Sequence, residues 1–421
     1  MSEKKIAKIY YADLWGLRSE KYKYLLENDV KTTKWQELKP TTPYYFFVPK
    51  DFALQSEYDK FWKVTEIFKE WRYGITTHRD HFIVGFTKEA IMQKLTVFNS
   101  TLSDELVKEG LKLRDTRDWK LSEARQRLRC IKLEDKICSY AYRPFDERLI
   151  CYEVDLIDRG SDRWALMRHL LKGNNLALVC VRQAKSQYSN AFVSSVIGSR
   201  DYVTNHSCFF PLYLYPDEPV GAIHELPLQH DIPKTKSERI PNFTDKFLQA
   251  IKESLGSEPS PEEIFYYIYA VLYSPTYRKR YEEFLKIDFP KVPLPSNNEA
   301  FKELNSFGKE LVELHLLRHS SLADTEVGFP KGGSNMMEKV VYDEQNQIVF
   351  INKEQYFESI SKEVWEYRIG AYQVMEKYLK DRKGRKLSLD EIDHYMKMAK
   401  AIRLTIVLQE KIDEVYRKIE I

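Results

Sequence analysis

The feature that most constrains this chain is a change of texture near its middle. Residues 217–243, DEPVGAIHELPLQHDIPKTKSERIPNF, are polar and proline-bearing, which marks a domain boundary. Before this stretch, short apolar and aromatic runs bounded by turn residues predict strands. After it, apolar residues recur at helical spacing. At roughly 100–200 residues per domain, 421 residues predict two or three domains. The expected fold class is α+β, with a mixed-sheet N-terminal lobe over residues 1–225 and a mainly helical lobe over 226–421 carrying one small hairpin.

The local readings follow from residue pattern. IAKIYYADLW (6–15) and PYYFFVPKD (43–51) read as strands, with a short helix between them that Ser19 would cap. Tyr58, Phe61, Trp62, Thr65 and Phe68 stand at helical spacing and predict a helix over 55–70. GITTHRDHFIVGFT (74–87) reads as a loop entering a strand. Ser103 and Asp118 are candidate caps of two amphipathic helices. ICSYAYRPFDERLICYEV (137–154) reads as two strands joined by the Pro144–Asp146 turn. A helix ending at Gly173 follows, then strand-rich segments over 175–183, 190–203 and 208–216. The second half reads as helices around a hairpin at 338–352, the last two over 363–382 and 389–419.

Composition narrows the functional classes. With 43% hydrophobic and 31% charged residues the chain has enough apolar material for a packed core. No run approaches the ~20 apolar residues of a membrane span, and MSEKKIAKIYY lacks a signal-peptide core. The expectation is a cytoplasmic protein with no membrane partner. Five cysteines, without C-x-x-C spacing, read as reduced and mostly buried thiols, with no metal site. A net charge of +3 neither demands nor excludes nucleic acid, so local basic clusters carry the argument. Two stand out, KLRDTRDWKLSEARQRLRCIK (112–132) and KYLKDRKGRK (377–386). A solvated helix face or a basic turn is the plainer reading of each.

Several catalytic signatures are missing together. There is no Walker A loop, no H-E-x-x-H, no G-x-S-x-G and no PD-(D/E)-x-K pattern. Nor is there a glycine-bearing S-adenosylmethionine turn or an (Asn/Asp)-Pro-Pro-Tyr loop for a flipped base. FPKGGSN (329–335) reads as a surface loop. The sequence therefore offers no catalytic residue, no cofactor-binding residue and no metal ligand, and this chain alone reads as non-catalytic.

An ordered set of segments resembles one family. IYYADLWGLRSEKYKYL, PYYFFVPKD, AYRPFDERLICY, VCVRQ with NAFVSS, FFPLYLYP, IYAVLYSPTYRKRYEEFLKIDFPKVPLP and WEYRIGAYQVMEKYLKDRKGRKLS are similar, in order, to blocks of the C-terminal specificity region of type ISP and type IIG-like restriction–modification enzymes. The resemblance runs from about Lys8 to the last helix. It implies sequence-specific recognition of double-stranded DNA, with a methyltransferase core as partner domain or subunit. S-adenosylmethionine is then expected only in that core, which would flip one adenine. The chain starts after the position of that core, which implies a fragment, a split-gene subunit or a truncated remnant. Two rivals stand beside this reading: a divergent methyltransferase or nuclease with concealed motifs, and a scaffold that docks to a methyltransferase without touching DNA.

Base readout needs fixed donor and acceptor geometry, and phosphate contact needs cations. The densest mixture of both lies in RQAKSQYSN (182–190) and SRDYVTNHS (199–207), each beside an expected strand. Arg182, Gln183, Lys185, Gln187, Arg200 and Asn205 are therefore the leading DNA-contact candidates. Arg143 is either a clamp on the turn near Asp146 or a DNA contact. Arg163, with Arg159, Arg168 and His169, sits around a helix start and is either a phosphate contact or part of a solvated face. Arg79, in the segment Thr76–Asp80, is a contact to DNA or to a methyltransferase core. Arg278 is a phosphate candidate beside Tyr273 and Tyr277, which read as packing residues. Lys383 and Arg385 belong to the basic turn 377–386. These groups would line a basic cleft between the two lobes.

Overall fold

The computed structural model describes residues 7–42, 44–184, 188–189, 191–216 and 239–419. They divide into two compact units, one ending at Glu57 and one beginning at Tyr58. The boundary expected at 225/226 lies outside the described residues. No described helix is long and apolar enough to cross a membrane.

In the first unit, strand Ile9–Tyr11 pairs antiparallel with Gln36–Leu38. The helix Arg18–Glu27 buries none of its side chains. It starts one residue before Ser19: the Glu20 carboxylate accepts the Leu17 N–H at 2.9 Å, so Leu17 and not Ser19 is the cap position. The strand expected over 43–51 does not form among the described residues of that stretch. Tyr45 takes a left-handed φ of 49°, which breaks an extended run, and Pro49 has no N–H for a ladder.

The second unit is built on a four-stranded antiparallel sheet. Its spatial order is Arg72–Tyr73, Cys208–Pro211, Ala177–Cys180, Ala191–Ser194. The last three strands are buried throughout, as continuous apolar runs predict. The helix Gly160–Leu171 packs against the Cys208–Pro211 side, and the helices Pro261–Tyr273 and Asn298–His315 against Ala191–Ser194. These two helices approach closely because Gly308 has no side chain: a Cβ there would lie 1.9 Å from the Tyr266 carbonyl oxygen. The 28-residue helix Leu389–Tyr416 completes the helical layer, opened by a capping box of Ser388 and Glu391.

A second antiparallel sheet orders Val84–Gly85, Asp146–Cys151 and Ile137–Arg143. The turn between its long strands is the one expected at Pro144–Asp146, with Phe145 left-handed at φ 60°. Residues 197–200 join the two sheets. Ala141 N–H donates to Ile197, Ser199 N–H to Ala141, Ile75 N–H to Gly198 and Arg200 N–H to Ile75, all at 2.8–2.9 Å.

Tertiary packing overrides local pattern in three places. The helix expected over 55–70 breaks into Gln55–Tyr58 and Val64–Ile67, separated by strand Trp62–Lys63, which pairs with Lys291–Val292. Tyr58 and Phe61 are claimed by Tyr281 and Phe284, with ring centroids 4.7–5.2 Å apart. The helix expected over 363–382 is interrupted by a hairpin, Arg368–Ile369 with Tyr372–Gln373, turning at left-handed Gly370. Asp118 caps nothing: it binds Arg117, and the Asp115 carboxylate accepts the Leu121 N–H at the start of the helix Leu121–Leu128. Ser103 does cap the helix Asp104–Gly110. All five cysteines are free, and Cys151, Cys180 and Cys208 are buried.

Candidate nucleic-acid interface

Register places the recognition loops together. Tyr73, Cys208, Cys180 and Ala191 form one row across the four-stranded sheet. Strands Arg72–Tyr73 and Ala177–Cys180 end at this row, and strands Ala191–Ser194 and Cys208–Pro211 begin there. The described residues of segments 74–80, 181–184 with 188–189, and 199–207 therefore all adjoin the same end of a rigid, buried sheet. Those segments carry Arg79, Arg182, Gln183, Arg200 and Asn205. Lys185 and Gln187 lie outside the described residues. The hairpin 368–373 joins the group: Gly370 N–H donates to Ser189, Ala371 N–H to Val203 and the Tyr372 hydroxyl to the Asp201 carbonyl, at 2.8–2.9 Å.

At the edge-strand side of this end is the Tyr73 ring. The guanidinium carbons of Arg163 and Arg200 each lie 5.8 Å from its centroid. Arg163 pairs with Asp162 at 2.7 Å, yet its buried Nε has no partner among the described residues. Burial lowers its pKa, and the nearby positive charges of Arg200 and Arg159 act in the same direction. Three like charges gathered this way raise the local positive potential. The backbone of Ser199 and Arg200 lies directly over Gly74, where a Cβ would come within 2.5 Å of it. The close approach that sets Arg200 against Tyr73 thus depends on a glycine.

Arg143 reaches the same end from the second sheet. It lies between Tyr142 (4.1 Å) and Tyr372 (5.4 Å) and donates to the Ser199 hydroxyl at 3.3 Å. It does not clamp Asp146. That carboxylate is held by Arg148 at 2.7 Å and Arg382 at 2.9 Å. Asn205 is exposed on its loop beside His206, whose φ is 70°.

Other candidates have different surroundings. Arg182 is 62% exposed but its Nε donates to Asp288 at 2.9 Å, and Gln183 donates to the Ile287 carbonyl at 2.9 Å. Both thereby pin their loop to residues 287–288. Arg79 is buried, donating to the Leu156 carbonyl and Asp158 at 2.8 Å each and stacking on Trp119 at 4.1 Å. Arg278 donates to the Leu272 carbonyl at 2.6 Å and covers the buried Tyr273. In the basic turn, Lys383 is exposed, Arg385 pairs with Glu391 at 3.1 Å and lies 3.7 Å from the Phe86 ring, and Arg382 is buried. Pattern reading did not single out Tyr73 or Tyr372. Only Tyr73 carries a local signal, an aromatic residue directly before Gly74.

Comparison with known proteins now places the chain. Residues 66–411 match the family of the Type ISP C-terminal specificity domain, and the chain belongs to that family. Its fold is similar to three solved structures. A cryoEM structure of a DrdV–DNA complex superposes with a TM-score of 0.73 at 18% identity, covering 93% of this chain and 41% of that one. A nuclease-deletion mutant of the Type ISP restriction–modification enzyme LlaGI in complex with a DNA substrate mimic gives 0.70 at 17%, covering 96% and 33%. The ATP-dependent Type ISP restriction–modification enzyme LlaBIII bound to DNA gives 0.70 at 18%, covering 93% and 27%. At these identities the likeness is one of fold, and this chain spans less than half the length of each. No curated protein matches it.

Proposed function

We propose that this chain is a target-recognition module that binds duplex DNA sequence-specifically and performs no chemistry itself. Membership of a specificity-domain family supports the reading. The observation that carries it is the convergence of three loops and a hairpin at one sheet end, where Arg163 and Arg200 flank Tyr73. Cations on the aromatic rim would set the duplex in register through phosphates. Exposed polar side chains such as Asn205 would read base edges. Methyl transfer and its S-adenosylmethionine would belong to an associated methyltransferase core, in the cytoplasm where such a duplex is met.

Fluorescence anisotropy of the purified chain with random and selected duplexes, over a range of salt, tests the reading. Site-specific binding that survives moderate salt is the expected result. Binding that is wholly non-specific and vanishes with salt would assign specificity to the methyltransferase core. No binding at any salt would leave a scaffold that only docks to that core.

A further inference from the structure

We infer that a basic cleft beside the rim, formed by His78, Arg79, Lys112, Arg114 and Arg117, is a second anchoring site that seats a backbone phosphate of the bound duplex. The inference rests on the DNA reading above and adds a contact region in which residues 112–118 stand against the end of loop 74–80.

The cleft has a volume of about 730 Å³ and is walled by His78, Arg79, His81, residues 112–114 and 116–118, and Asp158. Its acidic groups are already neutralised. One Asp158 oxygen accepts from Arg79 at 2.8 Å and the other faces His78 Nε2 at 3.2 Å. Asp118 is held by Arg117 through two bonds of 2.8 and 2.9 Å, and the Arg117 guanidinium keeps its pKa low. Lys112 and Arg114 are exposed on the wall and form no ion pair among the described residues. Arg79, Lys112, Arg114 and Arg117 against Asp118 and Asp158 give four positive and two negative charges, an excess of two with the histidines neutral. An excess of cations in a concave surface attracts an anion.

The backbone around the cleft is locally constrained. His78 and Lys112 both adopt left-handed φ of 51°, and Arg159, next to Asp158, has φ 53°. Such values are uncommon for residues with a Cβ and persist where surrounding structure imposes them. Arg159 is close enough to act electrostatically on both Asp118 and Arg163. Arg159 follows the cleft-wall residue Asp158 and precedes Arg163 of the rim by four residues, so a cation stands in the chain between the two. A polyanion lying on that rim is the ligand that would use both, because successive phosphodiesters extend past a single seat. The contact would be electrostatic and blind to sequence.

The test compares salt dependence. Anisotropy titrations of one specific and one random duplex are run on wild type, on the Lys112→Ala/Arg114→Ala double variant and on a control double, Lys302→Ala/Lys309→Ala. The control removes the same charge from exposed positions of helix Asn298–His315. The expected result is roughly tenfold weaker binding of both duplexes by the cleft variant, with the slope of log K against log salt reduced by about one to two and the control unchanged. Equal behaviour of the cleft variant and wild type overturns the inference and leaves the DNA reading standing. If wild type binds no duplex at any salt, both fall. Calorimetric binding of inorganic phosphate that the cleft variant loses, with duplex affinity unchanged, also overturns it by assigning the cleft to a free anion.

Discussion

Asp146 and Arg382, 236 residues apart in sequence, form an ion pair of 2.9 Å with 2% and 3% of their side chains exposed. Arg382 also donates to Glu391 at 3.0 Å and to the Tyr378 carbonyl at 3.0 Å, and stacks 3.4 Å from the Tyr378 ring centroid. The pair ties the turn of the second sheet to the basic turn that precedes the last helix. Removing one partner strands a buried charge, which costs about 3–5 kcal/mol. Arg382→Ala should therefore lower the urea midpoint strongly, and Asp146→Asn should do so as well. Burial opposes ionisation of Asp146, yet Arg382 and Arg148 hold its pKa below the ordinary carboxylate value. A depressed carboxylate pKa stabilises the fold above the unfolded-state value, near 4, and that contribution disappears as pH falls through the folded value. Urea titrations at pH 7, 5, 4 and 3 should show acid destabilisation of wild type exceeding that of Asp146→Asn. Parallel curves would remove the pair from the argument.

Gly74 makes a sharper prediction. An alanine Cβ would meet the Ser199 and Arg200 backbone at 2.5 Å, and overpacking of this kind costs about 1–3 kcal/mol. Because the displaced segment carries Arg200, Gly74→Ala should weaken duplex binding beyond what its lowered thermal midpoint explains. The measurement is anisotropy at a temperature where both proteins are fully folded.

Arg200 and Asn205 should separate by kind of contact. Arg200 stands in a cluster of cations, so Arg200→Ala should weaken every duplex alike and lower the salt slope by about one. Asn205 is a neutral amide on an exposed loop. Asn205→Ala should relax the preference at one base pair by about 1–3 kcal/mol and leave the salt slope unchanged. A binding-site selection on each variant distinguishes the two, and a uniform loss for both would make Asn205 a backbone contact.

His315 predicts a pH dependence inside the helical layer. It is fully buried, bonded to the Tyr269 hydroxyl at 2.7 Å and the Thr405 hydroxyl at 3.0 Å, and stacked on Phe192 at 4.9 Å. Burial, with the charge of Arg278, lowers its pKa to about 3. Between that value and about 6.5 the unfolded chain binds a proton that the folded chain does not. Stability should fall with decreasing pH across this window with the slope of one proton. His315→Gln should remove that slope at some cost in stability at pH 7. The same slope in both proteins would point to another group.

Much of the fold was legible because local pattern and tertiary role agreed. The strands over 137–151, 177–180 and 208–211, the helix ending at Gly173 and the long last helix all follow periodicity and end signals that need no distant partner. The helix Lys88–Phe98, with Thr87 as its cap and Ile91, Leu95 and Phe98 buried, was not read from the sequence. The segments 55–70 and 363–382 were not legible. Their aromatic spacing suits a helix; Tyr281, Phe284 and the paired strand 291–292 decide otherwise in the first, and the hairpin turning at Gly370, bonded to Ser189 and Val203, in the second.

For the site, the sequence by itself determined which side chains are available: two short loops rich in arginine, amides and small polar groups, in a chain without catalytic signatures. Residue type and order are local properties, and they suffice for that. Only the tertiary structure decided which of those groups meet. Antiparallel register brings residues 73, 180, 191 and 208 into one row, so three separate loops share one sheet end. Burial then sorts like from like: Arg79 and Arg382 are committed to carboxylates inside the protein, while Arg159 and Arg200 stay on the surface. An arginine's role depends on its partners and its access to water, and both are set by residues far away in the chain.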